Sequence, residues 1–327
     1  EYKFTLGSWD REAMGPSGMV MPNHRLRVGG DVGATHEIGD FKKETREYMA
    51  DWRGSGVLGT LVYWPDFPSD ILGLDRHVEI WLPPGYDENT EARYPVLYMS
   101  DGQNLFDPRI ANTGVDWGVD EAVTRLVEQK LMPPIIVVGA WNTDARGREY
   151  SPWHGAPDYA RFLIEELMPR VDTEFRTLTG PDNTAVMGSS MGGLLSFYLV
   201  TNHPEVFGSC GCESTHFALS ESIVGRYLRG VEAPPNPDSV PFVVRDIEAG
   251  LEAPAGARYY FAYGTEGLDA DYGAPHEIVR EWLLAEGKND GRDFVVREYE
   301  GADHNEASWR ARIDDALVFM FGRKSHQ

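Results

Sequence analysis

The sequence predicts an α/β fold, a mainly parallel β-sheet with helices packed on both faces. Three observations predict it. Strand-length runs such as PIIVVGA (134–140) are apolar without alternation, as expected of strands covered on both sides. In the second half of the chain such runs take turns with amphipathic, helix-length stretches. Finally, one run, AVMGSSMGGLLSFYLV (185–200), places a knot of glycines and serines between a strand-like and a helix-like stretch.

Residues 1–55 read differently from the rest. EYKFTLGSWD, HRLRVGG and THEIGDFKKE are short β-like runs separated by turn-forming Gly, Pro, Asn and Asp. So few residues bury little core alone, and they are expected to pack on the larger domain C-terminal to them or to form part of a β-sandwich. From residue 56 onward the strand-like runs are GTLVYW, RHVEIWLP, YPVLYMSD, PIIVVGA, NTAVMG, GSCGCE, ARYYFAYG and DFVVREYEG. Helix-like stretches are WGVDEAVTRLVEQK, PDYARFLIEELMPRV, GGLLSFYLVTN, PHEIVREWLLAEG and EASWRARIDDALVFMFG. The first two strands have only a loop between them, which predicts an antiparallel pair. Residues 56–327 thus read as one α/β domain after a β-rich segment.

The formal net charge is −22, from 52 acidic and 30 basic residues, and a surface that negative disfavours nucleic acid and anionic membranes as partners. No apolar run reaches the roughly 18 residues that cross a bilayer. Cys210 and Cys212 are too close in sequence for an unstrained bridge and are expected as small buried residues. The first residue is not Met, as expected of a processed chain; a secreted or periplasmic location is favoured over a cytoplasmic one. Oligomeric state is left open.

The Gly-Ser knot reads Gly188-Ser189-Ser190-Met191-Gly192-Gly193 and contains G-x-S-x-G. Glycines around a strand-to-helix turn allow a cramped backbone that lifts the Ser190 hydroxyl out at the carboxyl end of the sheet, above a helix N-terminus. The Met191 N–H then points at charge developing on an attacked carbonyl. A serine needs a base to take its proton. Of nine histidines, His304 in EGADHNEASW sits on the loop between the last strand and last helix, which opens at the same edge. His203 reads as a solvated helix end, His77 begins a strand, and His216 in CESTHF follows a strand end and could line the pocket. The group that orients the imidazole is expected in TEGLDADYG, where Glu266, Asp269 and Asp271 qualify; Asp269 is favoured, then Glu266. A second oxyanion donor is expected from SDGQNLFD, with Gly102 allowing a sharp turn and the Gln103 N–H facing the oxyanion.

At these residues a family resemblance is plain. RHVEIWLPPGYDE, RYPVLYMSDGQNLFD, IIVVGAWNTDARGREYSP, GSSMGG and EGADHNEASW together resemble the Putative esterase family of α/β-hydrolases, in order from about residue 59 to 322. That family includes feruloyl esterases, S-formylglutathione hydrolase and siderophore esterases. The resemblance implies Ser190 as nucleophile, His304 as base, and the Gln103 and Met191 amides as oxyanion hole. Asp101 stands where the family commonly has His before Gly, which would change pocket charge. Trp141, Asn142, Arg148, Tyr150 and Trp153 follow by position as pocket residues, aromatic faces for an aryl or sugar group and an arginine for a carboxylate. YKFTLGSWD and PNHRLRV resemble the latter half of a starch-binding-type β-sandwich. The implied activity is a serine esterase acting on a small or polysaccharide ester, such as a feruloyl or acetyl ester, without cofactor or metal. Its rivals are a siderophore trilactone esterase, a thioesterase, and a non-catalytic glycan-binding protein on the same scaffold.

Overall fold

The computed structural model describes residues 13–14, 36, 38, 40–41, 56–221, 223 and 239–322. The half-module resemblance falls almost wholly outside them; two short strands, Ala13–Met14 and Asp40–Phe41, pair antiparallel there.

All eight anticipated strands form one sheet. They are β1 (Thr60–Phe67), β2 (Arg76–Leu82), β3 (Val96–Ser100), β4 (Ile136–Ala140), β5 (Thr184–Ser189), β6 (Ser209–Glu213), β7 (Arg258–Gly264) and β8 (Phe294–Tyr299). Their spatial order is β8-β7-β6-β5-β3-β4-β2-β1. β1 and β2 pair antiparallel, as anticipated, and β2 is also antiparallel to β4. Every other pair is parallel. The helices are α1 (Val119–Glu128), α2 (Arg146–Glu149), α3 (Ala156–Arg161), α4 (Met168–Glu174), α5 (Met191–Asn202), α6 (Phe242–Glu248), α7 (Gly273–Ala285) and α8 (Glu306–Phe321). A π-helical turn, Phe162–Leu167, joins α3 to α4, so PDYARFLIEELMPRV is not one regular helix. The sequence did not suggest α2 or α6.

Because successive strand residues face opposite ways, alternate positions feed two cores. Val96, Tyr98, Val186, Tyr259 and Phe261 pack beneath α3, α5 and α7 with Tyr159, Leu194, Phe197 and Trp282. Leu97, Met99, Met187, Tyr260 and Ala262 face α1 and α8 with Val123, Leu126, Ile313 and Leu317. α5 is buried on nearly every side, which explains its lack of a polar face. Cys210 and Cys212 are free, buried thiols whose sulfurs lie 3.2 Å apart. No described helix is long and apolar enough to cross a membrane.

One buried group works against this core. Glu79 on β2 is 2% exposed, and burial pushes its carboxyl up to about 8, with Asp107 adding like charge. Between about pH 4.3 and 8 the folded protein holds a proton there that the unfolded chain releases, so stability falls as pH rises through that window. Glu79→Gln should remove part of that fall, on the order of 3 kcal/mol at pH 8, as read from denaturant unfolding at pH 5 and pH 8.

Candidate active site

Three strands end at the carboxyl edge of the sheet in non-glycine residues with left-handed φ: Asp101 after β3 (58°), Ser190 after β5 (57°) and Ser214 after β6 (44°). Such backbone costs roughly 1–3 kcal/mol each and persists only where neighbours hold it in place. At Ser190 the neighbours are visible. Its N–H donates to Glu213 O (2.9 Å), and its carbonyl accepts from His216 N (3.2 Å) and Leu194 N (3.2 Å). A Cβ on Gly188 or Gly192 would lie 2.2 or 2.3 Å from Ser100 Oγ, so only glycine lets the turn approach β3 this closely. Ser190 and Met191 are both partly exposed, and Met191 is the first residue of α5, where the helix has no acceptor for its N–H.

His304 lies on the loop between β8 and α8, and its Nδ1 is 2.6 Å from Asp269 Oδ1. Its backbone N–H donates to Asp303 Oδ1, and Asn305 caps α8 by accepting from Ser308 N. The ring stands edge-on to Tyr272 and Trp309. Burial alone would raise the Asp269 carboxyl, but hydrogen bonds from His304, Ser214 Oγ (2.5 Å) and the Gly264 N–H (2.7 Å) outweigh it and hold the pKa below the carboxylate range. Glu266, the second candidate, is exposed, and its backbone rather than its side chain anchors the loop, through N–H to Ala302 O. Asp271 is likewise exposed.

His216 connects the two halves. Its backbone donates to the Ser190 carbonyl, its Nδ1 is 2.5 Å from the Tyr272 hydroxyl, and Tyr272 packs against the His304 ring. Burial, then the charges of His304 and Arg146, lower its pKa to about 4, so it stays neutral at pH 7.

Around the Asp101-Gly102-Gln103 turn, the structure reassigns several anticipated pocket residues. Tyr150 is fully buried and its hydroxyl accepts from the Asp101 N–H (3.2 Å), so it supports the turn and presents no face to a ligand. Trp141 is buried against Gly102, whose added Cβ would lie 2.8 Å from its ring. Trp153 is tied to Asp246 through its indole N–H (2.7 Å). Arg148 points to solvent. Arg146 is the arginine at the site, an assignment the sequence did not make. It holds both Asp101 oxygens, from Nε and Nη2, at 2.7 Å each, and stacks on the Tyr150 ring. Asn142 adds a 2.6 Å bond from Nδ2 to Asp101 and donates its N–H to Gln103 Oε1. The Asp101 charge beside the turn is thereby neutralised.

Among the described residues, one trio of carboxylates, Asp116, Asp120 and Glu121, brings oxygens within 4.8 Å of one another. Arg310 already bridges Asp116 and Glu121, and burial, with the hydrogen bond to Glu121, pushes the Asp120 carboxyl up to about 8. These features describe a proton-sharing cluster at the start of α1, bound to α8.

The family described as Putative esterase matches residues 69–320. A Bacillus subtilis (strain 168) protein named uncharacterized protein YbbA is 24% identical over 76% of this chain and 94% of its own length. An endo-1,4-beta-xylanase/feruloyl esterase of Xylanibacter ruminicola is 27% identical over 51% of this chain, which covers 23% of that protein. Among solved structures, a ferulic acid esterase superposes with a TM-score of 0.58 at 20% identity, over 81% of this chain and 99% of its own. The enterobactin esterase FES from Shigella flexneri gives 0.61 at 19% identity, over 80% and 58%.

The tight contact of the turn with β3 is open to a double substitution. Gly192→Ala should destabilise the protein by roughly 1–3 kcal/mol through overpacking against Ser100 Oγ. Ser100→Ala should restore most of that loss in the double variant, because the Ser100 hydroxyl has no hydrogen-bond partner and its Cβ lies 3.5 Å away, an ordinary contact. Denaturant midpoints of the four proteins check both steps.

Proposed function

The chain belongs to the Putative esterase family and is a carboxylic ester hydrolase; from that premise we propose that it works as a serine esterase through an acyl-enzyme. The observation that carries the reading is the His304–Asp269 pair, 2.6 Å apart, at the sheet edge where Ser190 occupies its left-handed turn.

Ser190 Oγ attacks the ester carbonyl while His304 Nε2 takes its proton, and Asp269 stabilises the imidazolium through Nδ1. The N–H groups of Met191 and Gln103 receive the oxyanion, helped by the α5 N-terminus. Collapse expels the alcohol, which leaves with the proton from His304. Water then gives a proton to His304 and attacks the acyl carbon, and the return of that proton to Ser190 releases the acid. Ester and water are consumed, acid and alcohol formed, so the cycle closes without a cofactor. Arg146 neutralises Asp101, which would otherwise set a carboxylate beside the oxyanion.

For the substrate we favour a feruloyl- or acetyl-type ester on a carbohydrate. Support comes from the similarity to a xylanase/feruloyl esterase and to a ferulic acid esterase, and from the partly exposed polar side chains of Asn142 and Arg146, suited to a hydroxylated ligand. The likeness to an enterobactin esterase favours a trilactone as the second reading. A glycan-binding protein without activity has no use for a histidine–carboxylate pair at the sheet edge that also carries a strained serine.

A fluorophosphonate probe should label the wild type and leave Ser190→Ala unlabelled; equal labelling of the two would remove Ser190 from the mechanism. Asp269→Asn should lower kcat roughly 10³–10⁴-fold, whereas Glu266→Gln should stay within about twofold of wild type. On a panel of methyl ferulate, acetylated xylan and enterobactin, one of the first two should give the highest kcat/KM. Turnover of the trilactone alone would transfer the assignment to the siderophore reading.

A further inference from the structure

Behind Asp269 lies a buried polar group that the acyl-enzyme mechanism does not use. Ser214 Oγ has three partners: Asp269 Oδ2 at 2.5 Å, Trp309 Nε1 at 2.9 Å and Arg312 Nη2 at 2.9 Å. The last two can only donate. A hydroxyl has one proton, so the Ser214 proton must go to Asp269. Arg312 in turn binds Glu213 through Nε (2.6 Å), and its Nη2 stands 3.9 Å from Asp269 Oδ2. The side chains of Arg312, Glu213 and Asp269 are at most 2% exposed.

We propose that Ser214, Arg312 and Glu213 are positioning residues that fix the rotamer of Asp269 and set the proton affinity of His304, a role that rests on the serine-esterase reading. Stability alone does not account for the trio. Buried ion pairs add little to stability in general, and this one leaves Glu213 Oε1 and Arg312 Nη1 without partners. Charge does account for it. Above the Glu213 titration, with Glu213 and Asp269 negative and Arg312 positive, the buried set carries −1 at rest and reaches neutrality when His304 takes the serine proton. Loss of the Arg312 charge therefore strengthens His304 as a base, and loss of the Glu213 charge weakens it. Burial, opposed by Arg312, pushes the Glu213 carboxyl up to about 7, so this balance changes near neutral pH.

Other groups face the pair and are left in place by every substitution that tests it. Around His304 these are Asp303, His216 and Glu306, with Arg146 next to His216 and Asp101 next to Glu306; around Asp269 they include the Gly264 N–H and His276. Tyr299 and Asp315 lie beside the Arg312–Glu213 pair.

The test is the titration midpoint of His304, followed by NMR of histidine-labelled protein in the Ser190→Ala background and assigned by loss of its signal in His304→Gln. The midpoint should fall by about 0.5–1 pH unit in Glu213→Gln and rise by a similar amount in Ser214→Ala. It should rise by less in the doubly neutral Arg312→Met/Glu213→Gln, because Arg312 reaches to 3.9 Å from Asp269 while Glu213 is held through it, so the loss of the cation outweighs the loss of the carboxylate. This variant leaves no orphan charge and keeps the test open if a single variant does not fold. Arg312→Lys, which keeps the charge, should move it least. In the Ser190 enzyme the acid limb of kcat/KM should shift in the same directions. Folded variants that lose activity while the His304 midpoint stays at the wild-type value would overturn the proposal. If the midpoints shift as stated but Ser190→Ala still takes the probe, the nucleophile assignment fails while the coupling to His304 stands.

Discussion

The structure depends on a single close contact, that of the Gly188–Gly192 turn against Ser100 on β3. β5 must stop and α5 must begin within one residue, and Ser190 absorbs the reversal with φ 57° and ψ −118°. Two glycines without Cβ atoms let the turn sink onto the neighbouring strand. That seat has three consequences. α5 begins directly after Ser190, the Ser190 carbonyl receives the His216 N–H, and the Ser190 N–H reaches Glu213 on β6. The last contact ties the serine to the strand whose next residue, Ser214, holds Asp269. Ser190 and Asp269 thus hang on adjacent residues of one strand end, although 79 positions separate them in sequence.

What the sequence made legible was whatever local pattern determines. Eight apolar runs became eight strands because their composition already requires a covered sheet, and G-x-S-x-G fell on its turn because the glycines have one conformational use there. His304 followed from its place before the last helix. Choosing between Asp269 and Glu266 needed the loop's conformation: the 3₁₀ turn at Gly267–Asp271 turns Asp269 inward and leaves Glu266 outside. The arginine was misplaced by two positions for a similar reason. α2 is a single helical turn, too short to show periodicity, and it puts Arg146 and Tyr150 on the inner side and Arg148 on the outer. Ser214 and Arg312 carried no signal at all, since their contacts join residues 55 to 99 positions apart.

Burial alone does not set the carboxyl chemistry. Glu79, Glu213 and Asp269 are all nearly inaccessible, yet the first two are pushed up and the third is held down. Donor supply decides. Asp269 receives hydrogen bonds from an imidazole, a hydroxyl and a backbone N–H, whereas Glu213 relies on Arg312 and keeps one oxygen without a partner. A carboxylate supplied with donors stays charged in a dry site, and a charged partner is what an imidazole needs to accept a proton there.

The same logic resolves an apparent conflict at the other side of the turn. A chain of net charge −22 places yet another carboxylate, Asp101, one residue from the Gly102-Gln103 turn. Uncompensated, it would oppose any anion forming nearby, and a low-dielectric site magnifies that opposition. Arg146 grips both oxygens, Asn142 adds a third bond, and Tyr150 receives the Asp101 N–H, so the left-handed backbone at Asp101 is fixed by the groups that cancel its charge. Neutralising the turn and shaping it are therefore one task. Any residue at position 101 that kept the conformation but lost the carboxylate would take from Arg146 the partner of its two 2.7 Å bonds and leave at the turn a cation ready to bind an anion instead.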